Sequence, residues 1–136
     1  MRDDCFLKNR LEQIWLLLFN EIPRLNNVVI KFKGKSRNRF GYIKKIGKDT
    51  LIGINEFFRF EIVPEYIIDL TIAHELSHYT HGFNSPLERK YNHPHKGGVV
   101  TKELRLRGFE KMIKKEKMFF KYEWPKIYEQ IVNFKN

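Results

Sequence analysis

The 136-residue chain has a single cysteine, Cys5. One thiol cannot close a disulfide within the chain and cannot build a multi-cysteine zinc ribbon. Long apolar runs are also missing. Near the N-terminus the longest, Ile14–Phe19, holds six residues, far below the roughly 20 that cross a bilayer. No cleavable signal pattern stands out, so the expectation is a cytoplasmic protein with no membrane partner. Internal repeats and low-complexity linkers are absent. Acidic residues are scarce: 16 Asp and Glu face 26 Lys and Arg, leaving +10 and a pI near 9.7. What is present is a hydrophobic fraction of 42%, with 15% aromatic. That suffices for a packed core and excludes disorder as the main state. The length suits one domain.

The charge is unevenly spread. Residues 31–48 hold eight basic and no acidic side chains, and residues 102–121 hold eight basic and three acidic. Residues 49–101 sum to −3. The excess charge therefore flanks the middle of the chain.

Periodicity predicts an α+β fold. Leu7, Leu11, Ile14, Trp15, Leu18 and Ile22 recur at helical spacing, and Pro23 ends the helix. Val28–Lys33, Phe40–Ile46 and Leu51–Asn55 are branched and aromatic, and predict strands in a small, mostly antiparallel sheet of three to four strands, a meander. Pro64 opens a second helix that runs to about His81, with Gly82 as its stop. Phe83–Pro94 reads as a loop. A third helix is expected over Lys96–Arg107 and a basic one over Phe109–Lys121, broken at Trp124-Pro125. Ile127, Ile131 and Phe134 form a last apolar stripe.

The second helix carries His74-Glu75-Leu76-Ser77-His78, an HExxH pentapeptide. Residues i and i+4 share one helix face, so both imidazoles can reach one Zn²⁺. The adjoining Glu75 can take a proton from a metal-activated water and pass it to a leaving amine. Ile68, Ile72 and Leu76 would anchor the opposite face in the core. Catalytic zinc takes three protein ligands, and the third is open between His95 and His93. His81 shares the face but lies roughly 10 Å along the axis from His74, too far to converge on one ion. His95 stands at the expected start of the third helix. Glu88 and Glu103 are acidic alternatives, for which a solvated surface role is preferred.

On these residues the chain resembles two related groups of zinc peptidases, the SprT-like proteins and the minigluzincins. The resemblance covers roughly residues 7–109. It rests on His74–His78, on Pro94-His95-Lys96-Gly97, on Leu104–Gly108, and on the upstream order of a helix, basic strands and the active-site helix. The stretch Lys96-Gly97-Gly98-Val99 departs from the SprT-like pattern, which often has an aromatic residue there. The resemblance implies zinc ligands His74, His78 and His95, Glu75 as general base and acid, and a peptide or protein substrate. It also implies that Leu51–Asn55 takes substrate as an added antiparallel strand. Within this reading, residues 1–111 form a minimal catalytic domain. Residues 112–136 form a C-terminal helical segment that covers the protein's own core, or lies over the cleft of its own or a swapped neighbouring chain and holds the enzyme latent, as minigluzincins do. A swap would make a homodimer.

Three residues are candidate donors to an oxyanion: Tyr79, Tyr91 and His93. Asp69 is a candidate for orienting a ligand imidazole, with helix N-terminal charge compensation as the alternative. The basic block Lys31–Lys48 interleaves cations with Phe32, Phe40 and Tyr42, a composition that can contact nucleic acid. The rival to a peptidase is accordingly a nucleic-acid-binding module with a structural or inactive zinc site.

Overall fold

The computed structural model describes residues 1–135. Helix α1 spans Asp4–Leu18 and is capped by the Asp3 carboxylate, which accepts from the Phe6 N–H at 2.9 Å. Its Leu7, Leu11, Ile14 and Trp15 are buried. The helix stops before the expected Ile22. The Ile22 carbonyl instead accepts from the Trp15 indole at 3.0 Å, folding the exit turn back over the helix.

Three strands follow: β1 (Val28–Phe32), β2 (Gly41–Ile46) and β3 (Asp49–Ile54). Their order is β1-β3-β2. β2 and β3 form an antiparallel hairpin, but β1 pairs parallel with β3. The sheet is mixed, and the expected meander is wrong in one pairing. Burial explains the order. Leu51 to Ile54 are buried at every position, as a strand covered on both faces requires, whereas Lys44, Lys45 and Ile46 of β2 are exposed. A strand with that solvated end suits the edge. Ile30, Ile52 and Ile43 lie in register across the three strands and are all buried.

Helix α2 (Glu65–Thr80) is the spine of the core. Ile68, Ile72 and Leu76 are at most 1% exposed, as their spacing predicts. Burial extends almost all round, which forces its hydroxyls to find partners within the helix. Thr71, Ser77 and Thr80 donate to the carbonyls of Ile67, Ala73 and Leu76. The helix ends where expected, at a left-handed Gly82 (φ +76°). Gly82 donates to the Tyr79 carbonyl and Phe83 to that of His78, closing a Schellman motif. A Cβ on Gly82 would lie 2.3 Å from the Glu88 carbonyl oxygen.

Helix α3 covers Val99–Leu106, three residues shorter at its start than expected. Gly97 and Gly98 both have positive φ (+70° and +65°), which a right-handed helix cannot contain. Helix α4 (Glu110–Met118) runs through a π-helical turn, Phe119–Glu123, into α5 (Trp124–Lys135). The expected break at Trp124-Pro125 does not occur. The wide turn, in which Trp124 donates five residues back to Phe119, realigns the helix at the residue that lacks an N–H. Ile113, Phe119, Trp124 and Ile131 join the main core, and the Trp124 indole donates to the Arg37 carbonyl at 2.8 Å. The fold is thus α+β, with an N-terminal helix and C-terminal helices around a small sheet. No described helix is long and apolar enough to cross a membrane.

Candidate active site

Helix α2 places His74, Glu75 and His78 against strand β2 and the loop that carries His95. The His74 and His78 ring centroids are 5.1 Å apart, and those of His78 and His95 are 4.6 Å apart. Phe83 closes the group, 5.4 Å from the His78 ring and 5.2 Å from that of His95. His74 keeps an exposed edge, whereas His78 is 1% exposed and its Nδ1 has no hydrogen-bond partner. Burial, reinforced by the other imidazoles, lowers the pKa of His78 to about 3. For His74 the shift is to about 4, from loss of hydration and then from His95. Neutral imidazole is the form that ligates metal.

His95 sits in a turn, exposed, rather than at a helix start. The consecutive left-handed glycines that delay α3 also leave His95 on a loop, where it folds back onto the active-site helix.

Glu75 is 5% exposed, and burial raises its carboxyl pKa to about 8, opposed by the Arg39 charge. It abuts β2 at Gly41. A Cβ built on Gly41 would stand 3.1 Å from Glu75 Oε2 and 2.7 Å from Thr71 Cγ2. Glycine at this position lets the strand approach the helix closely enough to bury the glutamate. A cavity of about 410 Å³ opens between them, lined by Arg39, Tyr42, His74, Glu75, Asn84 and His95 among others. A smaller one of about 140 Å³ lies between His74, His78 and His95.

The edge that borders this cleft belongs to β2, not β3. Leu51–Asn55 cannot accept an added strand, because β3 is already paired on both sides. Along β2, the Phe40 carbonyl accepts from the Asn55 N–H of the β3 side, and the Ile43 carbonyl accepts from the Asn84 side chain. Backbone groups alternate in direction along a strand, so those of Gly41 and Ile43 face the open side.

The other candidates have different partners. Tyr79 is fully buried, with its hydroxyl donating to Asn26 at 2.7 Å, and cannot serve an oxyanion in the cleft. Tyr91 meets the His81 ring edge to face at 4.8 Å, and neither Tyr91 nor His93 lines the cavities around His74 and His78. Asp69 is held by Arg10, whose Nε donates to Oδ1 at 2.8 Å. Glu88 is exposed. Glu103 is not a solvated side chain: its Oε1 lies 2.8 Å from Nε2 of the buried His81, and its Oε2 accepts from Arg107 at 3.0 Å. That bond assigns His81 to Glu103 on α3. Sequence reasoning missed Arg39, Tyr42 and Asn84. The glycine at position 41, flanked by cations and aromatics, was the available signal.

Three imidazoles sharing one tetrahedral ion at about 2.0–2.1 Å put their ring centroids roughly 5 Å apart, close to both spacings above. No three His, Cys, Asp or Glu among the described residues are grouped so as to hold an ion; an ion shared by these imidazoles would require the rings to turn. The donor chemistry fits zinc: neutral imidazoles, one with a buried orphan nitrogen, beside an open cavity. No family model, curated protein or solved structure matches this chain.

Proposed function

We propose that the chain is a zinc-dependent endopeptidase of the HExxH type, and within that class a small peptidase of the minigluzincin or SprT-like kind. The observation that carries the reading is the convergence of His74, His78 and His95 beside the buried Glu75, at the open edge of β2. His74, His78 and His95 would hold the ion. When bound, zinc supplies Lewis acidity toward a water and a peptide carbonyl.

This chain's residues do the rest. Glu75 takes a proton from the attacking water as its oxygen bonds to the carbonyl carbon. It returns that proton to the amine nitrogen as the C–N bond breaks. Burial raises the proton affinity of this carboxylate, which favours the abstraction step. The backbone groups of Gly41 and the Ile43 N–H, on the open side of β2, offer an extended peptide its pairing partners, while the Ile43 carbonyl is already held by Asn84; such pairing selects for backbone more than side chain. Arg39 lines the same cavity and places a cation at its rim.

Of the C-terminal segment, the described residues 112–135 pack on their own chain, and residue 136 lies outside the described residues. Through Glu116 and Phe120 they wall a cavity beside Glu75, and they line neither of the two cavities around the three imidazoles. Latency imposed by this segment would act through that wall.

The test is zinc content and casein cleavage of the full chain. Glu75→Ala should keep zinc and lose cleavage, and His95→Ala should lose zinc. Unchanged zinc in His95→Ala would refute the third ligand. A second reading rests on the exposed cations Lys33, Lys35, Arg37, Lys44, Lys45 and Lys48, on and around β2. They suit a polyanion, and steep salt-dependent DNA binding without hydrolysis would favour it.

A further inference from the structure

A third cavity, of about 350 Å³, shares His74 and Glu75 with the cleft but reaches neither His78 nor His95. Its walls are Phe40 from the loop before β2 and Phe120 from the π-helical turn, stacked on each other with centroids 4.0 Å apart. Phe40 is braced in turn by Phe58, at 5.6 Å, so the wall is a rigid aromatic column. The Glu116 carboxylate of α4 also lines this space. Among the described residues it has no hydrogen bond and no ion pair. Arg39 also lines the cavity, with its guanidinium over the Tyr42 ring at 4.9 Å and no ion pair to Glu116, and Lys115 lies over the Tyr66 ring at 4.4 Å.

An unpaired carboxylate half-sunk beside aromatic rings is costly unless something completes it. The same burial raises the Glu116 pKa to about 7. The chemistry that completes it is a cation on an apolar stem. The stem of Lys or Arg packs along ring faces while its head meets the carboxylate.

We propose that this cavity is a substrate subsite, with Glu116 as the specificity-determining residue that recognises a Lys or Arg side chain next to the scissile bond. The inference rests on the peptidase reading, which supplies the substrate. It gives the C-terminal segment a positive task, that of contributing one side of the substrate cleft.

The test uses the zinc-loaded full chain and peptides that differ at one position, Arg, Leu or Glu. A charge-assisted hydrogen bond is worth about 1.5–3 kcal/mol, so kcat/KM for the Arg peptide should exceed that for the Glu peptide by about tenfold or more. Glu116→Gln should bring that ratio close to one, and Glu116→Lys should invert it. Circular dichroism checks that both variants fold; if Glu116→Lys does not, Glu116→Gln carries the test alone. A wild-type ratio near one, or a ratio that survives Glu116→Gln, overturns the subsite. Binding of the same peptides to Glu75→Gln, read by fluorescence anisotropy, separates the two layers. Charge-selective binding that Glu116→Gln abolishes, without wild-type cleavage, keeps Glu116 as a cation-recognising residue but sinks the peptidase reading and with it the substrate subsite. Cleavage without charge preference sinks the subsite alone, and neither binding nor cleavage sinks both.

Discussion

Gly41→Ala is a one-methyl perturbation aimed at the contact that buries Glu75. The new Cβ would lie 2.7 Å from Thr71 Cγ2, 3.1 Å from Glu75 Oε2 and 3.3 Å from the Gly53 carbonyl oxygen. Carbon atoms at rest stand roughly 3.5–4.0 Å apart, so β2 and α2 must separate by most of an ångström. Overpacking of this kind costs about 1–3 kcal/mol. For a chain of this size that lowers Tm by about 3–12 °C. Catalysis should suffer more than stability does. A shift near 1 Å between the glutamate and the substrate-bearing edge can cost about 10²-fold in rate. The clash has one main author, the Thr71 methyl, and that permits a rescue. Thr71→Ser removes Cγ2 and keeps the hydroxyl that donates to the Ile67 carbonyl. In a double-mutant cycle Gly41→Ala/Thr71→Ser should recover about 0.5–2 kcal/mol relative to additivity. Thermal unfolding followed by circular dichroism reads the stabilities, and peptide hydrolysis reads the rates. Strict additivity, or Gly41→Ala with wild-type Tm and kcat/KM, would refute the close approach of strand and helix.

Two further outcomes follow from burial. The folded chain holds the Glu75 proton up to about pH 8, while the unfolded chain releases it near 4.5. The stabilisation from that proton is therefore present below about pH 4.5 and lost as pH rises toward 8. In chelator-treated protein, Glu75→Gln should match wild type near pH 4.5 and exceed it by about 2–4 kcal/mol at pH 8; urea unfolding that shows no growth in the difference with pH would contradict this. Truncation after Lys111 removes Ile113, Phe119, Trp124 and Ile131 from the core. At about 1.5–3 kcal/mol each, the loss of about 6–12 kcal/mol rivals the whole stability of a domain. The shortened chain should lack near-ultraviolet dichroism, and a folded, more active fragment would refute that and revive a simple lid.

The α+β class, the span of α2 and the facing of its apolar stripe were legible because each depends on local spacing. Ile68, Ile72 and Leu76 could be assigned to the core, and Gly82 to a helix stop, from chain order alone. His74, Glu75 and His78 share a helix face for the same reason. The sheet order was not legible. Pairing of β1 with β3 spans a connection through β2, and nothing local in Val28–Phe32 encodes which neighbour it meets. Only the two-sided burial of Leu51–Ile54 made β3 central, which moved the open edge to Gly41–Ile46. Similarly, the bond between His81 and Glu103 joins residues 22 apart, one just past the end of α2 and the other on α3.

The sequence by itself determined the chemistry available here: an HExxH helix, one cysteine, and cations set to either side of an acidic middle. These are properties of residue type and short-range period, and folding does not alter them. The tertiary structure decided which edge borders the helix, which loop returns His95 to it, and that Glu116 from the C-terminal segment shares a wall with Glu75. Those are contacts between elements distant in the chain. They are set by how the hydrophobic faces of a three-stranded sheet and its helices can be covered at once.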